Sequence, residues 1–119
     1  MASPRSSKAK GRRLQNMVRD KLRVAFAEHL EDDDIKSQIM GVNGEDIVLS
    51  PAARKLIPYS IECKNVEKLN VWEAIRQAKE NAGKHIPIVC FKKNRHEAWI
   101  AMPMQTFMEK FHGLKNEDF

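Results

Sequence analysis

From about Arg12, apolar residues recur every three or four positions: Leu14, Met17, Val18, Leu22, Ala25, Phe26 and Leu30. That spacing puts one greasy stripe on an α-helix. The acidic run from Glu28 through Asp32, Asp33 and Asp34 ends the helix, and it reads as a solvated loop more readily than as a metal cluster. Residues 37–41 and 46–49 are short strand candidates on either side of the turn signal Asn43-Gly44. Ser50-Pro51 supplies a cap and a first-turn proline, hence a brief helix. Residues 59–64 alternate as a strand. Asn70 with Glu73 three residues on forms a capping-box pattern, opening a helix striped by Trp72, Ile75, Ala78 and Ala82 and closed by Gly83. Two strands, 86–91 and 98–102, and a short helix over 105–111 complete the chain. Helix, three strands, helix, two strands, helix predicts an α/β fold with a mixed central β-sheet flanked by helices.

A chain of 119 residues is enough for one core and too short for two. Residues 1–10 lack periodicity and are expected to form a mobile basic arm, 11–112 a single domain and 113–119 a loose tail. The net charge of +5 is uneven: residues 1–23 hold eight basic side chains against Asp20 alone, and the rest is mildly acidic. Such a distribution suits a polyanion such as nucleic acid, or else a solubilising tail. No apolar run approaches the roughly 18 residues of a membrane span. With no secretory leader pattern either, a cytoplasmic protein without a membrane partner is expected. Cys63 and Cys90 lie in apolar stretches and should be buried thiols. His85 and His96 have no ligand spacing that would suggest zinc.

Alternation gives the chemistry its first shape. On a strand, Glu62 and Lys64 face one side while Ile61 and Cys63 face the other. Asp46 opens the preceding strand candidate and reaches Glu62 if the two segments pair. Two neighbouring carboxylates repel unless a cation lies between them. Mg²⁺, with Mn²⁺ able to take its place, suits one or two carboxylates plus water and a phosphate. A lysine alongside can steady an attacking water and offset charge on a phosphate. Glu-X-Lys alone carries almost no weight; the upstream acid and the order of elements add to it.

In Gly44-Glu45-Asp46-Ile47-Val48 followed by Ile61-Glu62-Cys63-Lys64, the chain resembles the PD-(D/E)XK nuclease superfamily. It looks most like small Holliday-junction resolvases of archaea and phages. The resemblance implies a restriction-endonuclease-like core, a homodimer, and hydrolysis of branched DNA in the cytoplasm, of a bacterial host if phage-encoded. It also implies that Asp46, Glu62 and the Cys63 carbonyl bind metal and that Lys64 is the catalytic lysine. Glu45 replaces the proline of the motif and is a rival ligand, although in an extended segment only one of Glu45 and Asp46 can face the site. Gln15 stands where resolvases often carry a helix glutamate, as a neutral site residue or a plain surface one. Gln77 has the same two readings. Arg12, Arg13 and Arg19 on the first helix, and Lys92, Lys93 and Arg95 in the turn after a strand, are the DNA-contact candidates. Linear, nicked or flapped DNA as substrate, or nucleic-acid binding without catalysis, stay open as alternatives.

Overall fold

The first helix starts earlier than its apolar stripe. In the computed structural model, which describes residues 4–39 and 41–111, α1 spans Pro4–Ala25. Pro4 is suited to a helix start, where its missing N–H has no partner to lose. Residues 4–10, where a mobile basic arm is expected, form the first turns of this helix. This turn is tied down where Asn65 Nδ2 donates to the Lys10 carbonyl at 3.0 Å, with Lys10 itself buried. Residues 1–3 of that arm and the tail 113–119 lie outside the described residues.

The stripe does what its spacing predicts. Leu14 is buried, and Met17, Val18, Leu22, Phe26 and Leu30 pack on a core of Ile35, Ile47, Leu49, Ile61, Cys63, Ile88 and Cys90. Ala25 is exposed. The three aspartates form a single 3-10 turn. Asp34 accepts from Ser50 Oγ at 2.6 Å and from the Glu31 amide at 2.8 Å, and these bonds hold its carboxyl below the usual range.

Strand β1 (Ile35–Ser37) pairs antiparallel with β2 (Ile47–Leu49). The strand expected over 37–41 sits two residues earlier, because Ile35 is the fully buried position whereas Ile39 is 74% exposed. The chain then turns through Gly41 and Gly44, whose φ angles of 88° and 112° are strained for residues with a Cβ. A short helix, α2 (Pro51–Leu56), is capped by Ser50, whose side chain accepts from the Ala53 amide.

Strand β3 (Tyr59–Asn65) runs parallel to β4 (Ile86–Lys92), with helix α3 (Val71–Ala82) between them in sequence. Strand β5 (Trp99–Ala101) returns antiparallel on β4, making a mixed sheet. Ile61, Cys63, Ile88 and Cys90 face α1, whereas Val89 packs on Ala74 and Ala78 of α3. The result is an α/β fold with its sheet flanked by helices. The β1–β2 ribbon forms its own ladder and meets β3 beside Asp46, whose amide donates to the Ile61 carbonyl at 2.9 Å. Helix α4 (Met104–Met108) is shorter than expected. Among the described residues no helix is long and apolar enough to cross a membrane.

Candidate metal centre

The backbone bond from the Asp46 amide to the Ile61 carbonyl joins the ribbon to the sheet at the site. It lays Asp46 against the free edge of β3, and the Cys63 amide then donates to Asp46 Oδ2 at 2.7 Å. Glu45, the neighbouring acid, turns the other way. It pairs with Arg54 of α2 and accepts from buried Ser60 at 3.2 Å, while Arg54 also donates to the Tyr59 carbonyl at 3.1 Å. The rivalry between the two acids is thus resolved by α2, which claims Glu45 and leaves Asp46 for the site.

Asp46, Glu62, Cys63, Lys64 and Gln15 line one small cavity of about 200 Å³, closed by Gly11 of α1 and by Ile39, Gly41 and Val42 of the β1–β2 loop. Glu62 is 4% exposed. Burial foremost, then the charge of Asp46 and a hydrogen bond with it, push its carboxyl up to about 7; Asn81 and Lys64 act in the opposite sense. Lys64 is half-buried and also acts on Glu73 of α3. The Cys63 thiol lies on the other face beside Cys90, its register partner. That neighbour and burial keep the thiol protonated, so Cys63 can offer a hard cation only its backbone.

Gln15 reaches the cavity from α1, is 5% exposed, and its Oε1 has no hydrogen-bond partner. A buried amide oxygen without a donor is costly, and beside two carboxylates it is the kind of acceptor that a cation satisfies. No group of three or more His, Cys, Asp or Glu is placed to hold a metal among the described residues. Here two carboxylates and a neutral oxygen converge, an all-oxygen donor set that fits Mg²⁺ or Mn²⁺.

Asn81 escaped the sequence reading. Its Nδ2 donates to Glu62 Oε1 at 2.6 Å, whereas Gln77, the auxiliary residue considered on α3, hydrogen-bonds Glu73 and does not line the cavity. The only hint was helical spacing, since Asn81 lies one turn beyond Gln77.

The basic candidates collect in two places. Arg12 and Arg13 are exposed beside Gly11, while Arg19 is held by Asp20 at 2.9 Å and Asn16 at 3.2 Å. Asn65 pairs in register with Lys92, so the turn carrying exposed Lys93 and Arg95 leaves the same end of the sheet as Lys64. Lys92 is partly engaged, donating to the Lys93 carbonyl at 3.0 Å. Trp72, part of the expected apolar stripe of α3, and Trp99 of β5 are 81% and 61% exposed. A larger hollow of about 430 Å³ between α3 and β5 is lined mainly by apolar residues, among them Trp72, Ile75, Val89 and Met104, and offers no comparable set of titratable groups. Compared with known proteins, the chain matches no family model, no curated protein and no solved structure.

Proposed function

We propose that this chain is a Mg²⁺-dependent endodeoxyribonuclease of PD-(D/E)XK type, acting as a homodimer on four-way or otherwise branched DNA. The observation that carries the reading is the convergence of Asp46, Glu62 and the unpartnered Gln15 oxygen in one cavity with Lys64. In this reading Asp46, Glu62, the Cys63 carbonyl and Gln15 hold the ion. A bound Mg²⁺ supplies an acidified water and offsets charge at the scissile phosphate. Lys64 contributes a positive charge beside the carboxylates, placed to orient the attacking water and balance the phosphorane-like charge. Arg12, Arg13, Lys93 and Arg95 steer the DNA backbone by charge and carry no base information. Arg19 and Lys92 contribute less, because their donors already have protein partners.

The test is cleavage of a synthetic four-way junction with Mg²⁺. Wild type is expected to cut, and Glu62→Gln and Lys64→Ala to lose at least about a hundredfold, the scale of removing one electrostatic catalytic group. Undiminished cutting by both variants would sink the assignment. Cutting the junction faster than its isolated duplex arms is the further result expected of a branch-selective dimer.

A further inference from the structure

Resting on the metal-site reading above, we infer that Asn81 is a positioning residue, which fixes the Glu62 carboxylate so that one oxygen is left for the cation. Asn81 belongs to the last turn of α3, where asparagine is a poorer helix former than alanine. Its reach depends on how closely α3 lies on the sheet. Ala74, Ala78 and Ala82 are all buried, at 2%, 1% and 3% exposure, and they repeat every four residues on one face. With three small alanines on the face turned to the strands, a side chain as short as asparagine spans the gap. It arrives at Glu62 Oε1 at 2.6 Å, a short, charge-assisted hydrogen bond.

The two carboxylates are treated alike by their neighbours. Asp46 has Oδ2 tied by the Cys63 amide at 2.7 Å, and Glu62 has Oε1 tied by Asn81. Each acid therefore has one oxygen tied by a donor from the fold, and without a cation the two acids also hydrogen-bond one another. A carboxylate held this way cannot swing to present both oxygens, so it acts as a single-point anchor. That arrangement suits a small ion that demands strict geometry and keeps several waters, as Mg²⁺ and Mn²⁺ do, better than a larger ion that welcomes two-oxygen chelation. Partners behind a ligand matter on this scale, since losing one typically weakens metal binding about 10- to 100-fold.

The experiment is Mn²⁺ titration of the metal-free full chain, followed by calorimetry or by the free-ion EPR signal. Asn81→Ala is expected to weaken Mn²⁺ binding by about tenfold or more, while Gln77→Ala, on the same helix but away from the cavity, leaves it unchanged. Asn81→Leu keeps side-chain bulk without a donor and should match Asn81→Ala, which separates the hydrogen bond from packing. Junction cleavage should then recover at high Mg²⁺, because the loss is in metal affinity and not in the chemical step. If wild type binds Mn²⁺ and Asn81→Ala binds it equally well, the role of Asn81 is overturned while the site stands. If wild type binds no Mn²⁺, the site reading itself falls and takes this role with it.

Discussion

Gln15 and Glu62 are both stabilised poorly by the protein around them, and the proposed metal site predicts that each sets stability against metal binding. The unpartnered Gln15 oxygen is a penalty that a hydrophobic residue of similar size would remove. Gln15→Leu should raise the stability of the metal-free protein by about 1 kcal/mol and at the same time weaken Mn²⁺ binding. Denaturant melts with and without Mn²⁺ read both effects, and a loss of stability in the metal-free variant would mean that Gln15 is an ordinary structural residue. Glu62 behaves similarly with pH. Burial raises its carboxyl from 4.5 to about 7, so between those values the folded chain keeps a proton that the unfolded chain has released. That contribution is complete below about pH 4.5 and is lost as pH rises through 7. The melting temperature in EDTA should fall from pH 5 to pH 8, and fall less in Glu62→Gln; equal slopes would show that Glu62 is not the group responsible. Strand alternation made Glu62, Cys63 and Lys64 legible in the sequence. Asn81 was not legible, because its meeting with Glu62, nineteen residues away, depends on the seating of a helix and on no local pattern.

Elements, more than single residues, set the precision of the site. Helix α2 is only six residues long, yet through Arg54 it decides which of two adjacent acids faces the cavity. Glu45→Ala should therefore cost on the order of 1.5–3 kcal/mol of stability, the range for a hydrogen bond to a charged group, while Mn²⁺ affinity in the folded variant stays within a few-fold of wild type. A large loss of affinity with little loss of stability would reinstate Glu45 as a ligand. Helix α3 sets the other wall. Ala78→Leu would overfill the contact with β4 at a cost of about 1–3 kcal/mol, and by lifting Asn81 it should also weaken Mn²⁺ binding; paired melts and titrations check the two together. The sequence disclosed these helices through a cap and a stripe. It did not disclose the polar first turns of α1, since residues 4–10 carry no apolar period and the tie from Asn65, at the far end of β3, ends on the Lys10 carbonyl. Nor did it locate β1, whose three residues are too few for alternation to register.

At the scale of the molecule the question is whether charge and chemistry share a face. Lys64 and the turn after β4 leave the same end of the parallel pair, and Gly11 of α1 borders the cavity, which places Arg12 and Arg13 next to it in the chain. Phosphate contacts release counterions, so the logarithm of the binding constant falls linearly with that of salt, by about 0.9 per contact on duplex DNA. Binding to a labelled junction, measured over a salt series in EDTA with the Glu62→Gln chain, should show this dependence. Arg12→Ala, Arg13→Ala, Lys93→Ala and Arg95→Ala should each weaken binding and flatten the slope by up to about 0.9. Arg19→Ala should do less, because its guanidinium is already paired with Asp20 at 2.9 Å and would have to give up that partner to meet a phosphate. The contrast within α1 is the informative part. If Arg19→Ala flattened the slope as much as Arg12→Ala, the whole basic helix would lie along the DNA and the exposed face beside Asp20 would be part of the interface. If neither changed it, the phosphates would be met by the turn after β4 alone, and the charge on α1 would serve solubility.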